Sequence, residues 1–64
     1  MSPNSEKLLN EHEAAEFLNL SVKTLQQWRH LCKPPIYVKF GRSVRYRLGD
    51  LQAFITANVI SPIG

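Results

Sequence analysis

Between residues 10 and 32 the apolar positions recur at steps of three and four, and between 37 and 47 at nearly every second position. The first period predicts helices and the second a pair of strands. Asn10 stands ahead of "EHEAAEFL" as an N-cap, and Glu13 three residues later completes a capping-box pair. Ala14, Phe17 and Leu18 then form one inward stripe, and Asn19 tolerates the left-handed conformation that closes a helix. Ser21 caps a second helix, "VKTLQQWRHL". Helices joined by so short a turn must cross steeply, as in a helix-turn-helix.

The second helix divides cleanly when successive residues are set about 100° apart. Val22, Leu25, Trp28 and Cys32 fall in one arc; Lys23, Gln26, Gln27 and His30 fall in the other. The polar arc holds two amides, a cation and an imidazole, but no carboxylate. "KPP" at 33–35 ends the helix, because Pro34 disfavours a helical Lys33.

"YVKF" and "VRYR" read as antiparallel strands joined around Gly41. A two-residue loop pairs Lys39 with Val44 and Val38 with Arg45. A three-residue loop pairs Phe40 with Val44, Val38 with Tyr46 and Lys39 with Arg45. Opposed residues share a face, so the three-residue loop is expected: it gives one apolar face against the helices and one basic face outward. Asp50 is expected to cap a third helix, "LQAFITAN", with Leu51, Phe54 and Ile55 inward. In "VISPIG" the apolar Val59, Ile60 and Ile63 either dock on the core or meet a neighbour. The predicted class is α+β, mostly α: a winged helix-turn-helix with two helices, a two-stranded wing and a closing third helix. Residues 7–58 form the domain, flanked by a disordered tail at 1–6 and a C-terminal tail at 59–64.

Composition narrows the picture. Sixty-four residues suffice for one domain with a marginal core. Cys32 is the single cysteine, so no internal disulfide forms, and a reduced, cytoplasmic setting fits better than secretion. "MSPNSEK" has no apolar run, so neither a signal peptide nor a membrane span is expected. The net charge of +3 is unevenly spread: residues 1–20 carry −3 and residues 21–64 carry +6. Four of the eight basic residues lie within "KFGRSVRYR", which has no acid. Such asymmetry points to a polyanion.

Duplex DNA is the polyanion that these elements suit. The polar face of a second helix fits the major groove, where each base pair shows its own donor and acceptor pattern. Gln26 and Gln27 have the amide geometry for adenine; Lys23 reaches guanine or phosphate; Ser21 and Thr24 sit where helix N–H groups meet the backbone. His30 completes this set. On the wing, Lys39, Arg42, Ser43, Arg45 and Arg47 face phosphates or a narrow minor groove.

Other readings fare worse. "HEAAE" at 12–16 superficially resembles a zinc-protease helix, but Glu16 stands where the second histidine belongs. His30 and Cys32 lack further ligands, so no catalysis, metal or cofactor is expected. A protein-interaction module built on Trp28, Tyr37 and the apolar tail is the rival of another class. A platform for single strands needs exposed aromatics on a strand face, and Phe40 and Tyr46 are expected on the buried one.

"LLNEHEAAEFLNLSVKTLQQWRH" followed by "PPIYVKFGRSVRYRLGDLQAFI" resembles the excisionase and AlpA-type winged-helix domain, related to the DNA-binding domain of MerR-type regulators. The resemblance runs from about Lys7 to Asn58. It rests on "EAAEFL", the "SVKTL" helix start, the Gly41–Arg42 turn, "VRY" and "DLQAF". It implies a small sequence-specific DNA binder of a phage or mobile element, acting in the bacterial cytoplasm and on the nucleoid when bound. The second helix, with Lys23, Thr24, Gln26 and Gln27, would enter the major groove; Arg42 and Arg45 would serve the wing. Such proteins act beside a tyrosine integrase as recombination directionality factors, or as AlpA/MerR-like transcription regulators. The long dimerisation helix and effector domain of MerR regulators are not found here, so no small-molecule effector is expected. Neighbouring copies on DNA are the expected self-contact.

Overall fold

The helix and strand ends follow from local chemistry in the computed structural model, which describes residues 7–60. In chain order the elements are β1 (Leu8–Leu9), α1 (Glu11–Leu18), α2 (Val22–His30), β2 (Val38–Phe40), β3 (Ser43–Arg47) and α3 (Leu48–Ala57). Asn10 Oδ1 accepts from the Glu13 backbone N–H at 2.8 Å, and Glu13 Oε1 accepts from the Asn10 N–H at 2.9 Å. This capping box satisfies two backbone donors that helix geometry leaves over. Asn19 closes α1 at φ 58°, ψ 41°, and the Leu20 N–H returns to Ala15 O at 2.8 Å. Ser21 Oγ then accepts from the Thr24 N–H at 3.1 Å. The expected stop and start signals therefore form the turn between the helices.

The end of α2 is built differently from expectation. Cys32, expected on the inward arc, lies beyond the helix at φ 59° and is exposed. Its N–H reaches Arg29 O at 3.0 Å, and the Lys33 N–H reaches Trp28 O at 2.7 Å. These two bonds are those of a Schellman cap, so backbone closure stops the helix before Pro34 is reached.

Leu9, Ala14, Ala15, Leu25, Tyr46 and Leu51 form the buried core. Every element contributes except β2. Leu18, Val22, Trp28, Val44 and Leu48 pack around this centre. Phe17, expected inward, is 43% exposed, and Ala15 is buried instead. At about 100° per residue Ala14, Leu18 and Ala15 span the inward arc, and Phe17 falls beyond its edge. On α3, Leu51 is buried and Phe54 packs against Trp28, with ring centroids 5.9 Å apart. Ile55, also expected inward, is exposed.

The sheet has three strands rather than the expected two, in the order β1-β3-β2. Leu8 pairs with Arg47 and Leu9 with Tyr46, antiparallel. The Leu48 N–H donates to Lys7 O at 2.8 Å, extending the seam. The start of α3 also differs. Arg47 occupies its N-cap position with no side-chain cap, and Asp50 lies inside the first turn. Asp50 Oδ2 accepts from Arg47 Nε at 2.8 Å instead of capping the helix.

The hairpin register corrects the expected loop. Phe40 pairs with Ser43, Lys39 with Val44 and Val38 with Arg45, so two residues, Gly41 and Arg42, make the turn. Gly41 has φ 60°, the left-handed first position of a type II′ turn, whose twist matches that of the strands. The predicted apolar face is therefore split. Val44 and Tyr46 face the helices, with Tyr46 1% exposed, whereas Phe40 is 56% exposed. Phe40 and Val38 share the outer face with Ser43, Arg45 and Arg47. The hairpin extends past the core, so its tip has nothing to bury Phe40 against.

Val59 and Ile60 are exposed rather than docked on the core. The expected tail at 1–6 and the position of Ile63 lie outside the described residues. Among the described residues, no helix is long and apolar enough to cross a membrane.

Candidate nucleic-acid interface

The outward face of α2 is an open groove lined by Lys23, Gln26, Gln27, Arg29, His30 and Leu31. It exists because Leu25 turns the opposite face into the core. Lys23, Gln26, Gln27 and His30 are all exposed, so the expected polar arc is brought together as read. Ser21 and Thr24 stand at its N-terminal end. Their hydroxyls lie 2.8 Å apart, and Ser21 Oγ is engaged in capping the helix.

A second recess lies between the start of α1 and the wing. Asn10, Glu11 and His12 line one side, Arg42, Ser43, Val44 and Arg45 the other, and Arg29 lies between them. Arg29 therefore borders both concavities and joins the α2 groove to the wing.

The wing residues do not all stand alike. Lys39, Arg42 and Ser43 are exposed. Arg45 is half-buried, and its Nη1 donates to Val44 O at 2.8 Å, which holds the guanidinium along the hairpin. Arg47 is bound to Asp50 and lies at the foot of the hairpin, far from the Gly41–Arg42 turn. Lys39 is opposite Val44 rather than Arg45, so it lies on the hairpin face of Val44 and Tyr46 and the expected single basic face is not formed.

Sequence reasoning missed the residues that hold this surface together. Glu11 Oε2 accepts from Gln26 Nε2 at 3.1 Å, and Glu11 Oε1 accepts from Arg29 Nη1 at 3.3 Å. Arg29 Nη1 also approaches the Tyr46 hydroxyl at 3.4 Å, and the guanidinium lies 5.8 Å from the Tyr37 ring centroid. Burial works against the Arg29 cation, but its hydrogen bonds to Tyr46 and Glu11, with their charges, outweigh that and raise its pKa above the ordinary arginine value. With side chains 24% and 26% exposed, the Arg29–Glu11 pair adds at most about 1 kcal/mol of stability. Its consequence is orientation. Glu11 carried only the signal of a first-turn acid, and Arg29 that of one more helix cation, so nothing local marked them as partners.

Phe40 is the other missed residue. Its exposure on the strand face removes half of the premise that set single strands aside; Tyr46, the other aromatic ring of that premise, is buried as expected. Among the described residues no group of three or more His, Cys, Asp or Glu could hold a metal ion.

The arrangement presents hydrogen-bonding amides and an ammonium on a protruding helix, with an adjoining hairpin rich in cations. A model of the helix-turn-helix domain family matches residues 8–59, from β1 to just beyond α3. No curated protein matches the chain in sequence.

Proposed function

Because the chain belongs to the helix-turn-helix domain family, a family of DNA-binding proteins, we propose that it is a sequence-specific duplex binder that reads with α2 and clamps with its wing. The observation that carries this reading is the exposed, carboxylate-free face of α2, with Lys23, Gln26, Gln27 and His30, in a fold that also exposes Lys39 and Arg42 on the hairpin. Lys23, Gln26, Gln27 and His30 lie over the major groove; Ser21 and Thr24 approach the phosphates beside it. Arg42, Lys39, Ser43 and Arg45 follow the backbone into the flanking minor groove. Arg47, bound to Asp50, contributes least. The exposed Phe40 on the outer face of the wing suits an apolar contact with sugar or base edges at a widened step.

In the role that the resemblance implies, the protein is an excisionase that shapes attachment-site DNA beside a tyrosine integrase, with neighbouring copies on adjacent sites. A transcription regulator would use the same surface. The two roles part in cells: loss of the protein abolishes excision of an element in the first case and changes transcript level without it in the second.

The test of DNA reading is selection from a random duplex pool, followed by affinity measurements at two salt concentrations. Enrichment of one motif with a steep salt slope is the expected result. Each phosphate neutralised contributes about −0.9 to the slope of log K against log salt. A flat slope without enrichment would overturn the reading and direct attention to a protein partner.

A further inference from the structure

The bond between Glu11 and Gln26 has a consequence for base choice, and it rests on the reading that α2 enters the major groove. A carboxylate only accepts hydrogen bonds, whereas a glutamine amide has a donating and an accepting end. Glu11 Oε2 lies 3.1 Å from the Gln26 side-chain amide, so the NH2 end must face it; the flipped amide would set oxygen against oxygen. The Gln26 carbonyl oxygen is thereby turned away from α1, along with the second N–H.

Glu11 is itself fixed. Its other oxygen accepts from Arg29 at 3.3 Å, and Arg29 is braced by the hydroxyl of Tyr46, a residue of the core. A line of hydrogen bonds therefore runs from the core through Arg29 and Glu11 to the amide on the reading face. We infer that Glu11 is a positioning residue that fixes the amide orientation of Gln26 and so makes it select adenine. An outward oxygen beside an N–H complements the adenine N6 donor and N7 acceptor, whereas guanine offers two acceptors, O6 and N7. An unrestrained glutamine could turn its NH2 to guanine; this one cannot without breaking its bond to a charged partner.

The test compares wild type, Glu11→Ala, Gln26→Ala and the double variant on duplexes that differ at one base pair of the selected site. Glu11→Ala removes the acceptor outright, whereas a glutamine there would still offer a carbonyl oxygen to Gln26. Glu16→Ala on the exposed side of α1 removes the same charge without touching Gln26 and serves as control. Both single variants should tighten binding to every duplex, because negative charge that repels phosphates is gone. Glu11→Ala alone should also lower the preference for adenine over guanine at one base pair by about tenfold, the low end for a charge-assisted hydrogen bond. In the Gln26→Ala background Glu11→Ala should leave that preference unchanged. A Glu11→Ala protein that binds and keeps its preference at every base pair would overturn the inference, as would an equal loss in the Gln26→Ala background.

A second readout needs no DNA. In the free protein one Gln26 Nε2 proton should resonate downfield of its Gln27 counterpart, and the difference should vanish in Glu11→Ala with the backbone spectrum otherwise retained. Its absence in wild type overturns the positioning even if DNA is read. Its presence without any sequence preference keeps the bond, places the failure in the major-groove reading and overturns the base choice built upon it.

Discussion

Helix α2 and the wing of this molecule carry their polar groups in opposite ways. On α2 the amide of Gln26 and the guanidinium of Arg29 are both tied to Glu11, and Arg29 is tied again to the core at Tyr46. On the wing, Lys39, Arg42 and Arg45 have no carboxylate partner among the described residues, and Arg42 sits in a two-residue turn at the tip. The first surface has direction, because its donors and acceptors are aimed. On the second, Arg45 is held by Val44 O, and Lys39 and Arg42 offer charge alone. Base identity is a matter of hydrogen-bond direction and phosphate attraction a matter of charge, so under the proposed reading specificity and affinity are divided between two structural regions.

The most severe way to break this division is to remove the support they share. Leu25→Ala should cost about 2–5 kcal/mol in a domain whose core supplies only about 3–5 kcal/mol. A urea titration followed by circular dichroism should show a chain largely unfolded, with reading and clamping lost together. Next in size, Gln27→Ala should reduce discrimination at one base pair by about 1–3 kcal/mol while leaving the salt slope intact; competition binding on single-base-pair variants measures it.

Gly41→Ala addresses the wing alone. A Cβ there meets no atom within 4 Å, but the residue sits at φ +60°, so the cost is conformational, about 1–2 kcal/mol. Denaturant melts should show this loss with the α2 preference unchanged in the folded fraction. Smallest in its effect on selectivity is Arg42→Ala. It should weaken binding to all duplexes alike and flatten the salt slope by about 0.9, as affinities at several salt concentrations would show. If Arg42→Ala instead changed base preference, the division between the two regions would fail.

The same contrast decides what could be read from the chain alone. Asn10 with Glu13, Asn19 and Ser21 each act within three or four residues, so the helix-turn-helix and the polar arc of α2 were legible. The register of the hairpin was not, because both loops satisfy the alternation and the choice assumed that every apolar strand residue is buried. Phe40 breaks that assumption, since the tip extends beyond the core. The pairing of Leu8 and Leu9 with β3 went unread for a related reason: two residues carry no period, and only the tertiary fold gives them a partner. Asp50 read as a cap because its role as the partner of Arg47 depends on where β3 runs into α3. Glu11 escaped notice because Gln26 and Arg29 become its partners only once the helices cross.

The strand order has a further consequence, for colloidal behaviour. β3, the longest strand at five residues, is bordered on both sides, by β1 of two residues and β2 of three. β2 pairs with Ser43–Arg45 and β1 with Tyr46–Arg47, so each side of β3 is covered over part of its length, and the stretches left open are too short to recruit a foreign strand effectively. The pair Leu8–Leu9 is thus a guard rail as well as an anchor. Without it the whole of that β3 edge, Ser43–Arg47, would lie bare and invite edge-to-edge pairing between chains.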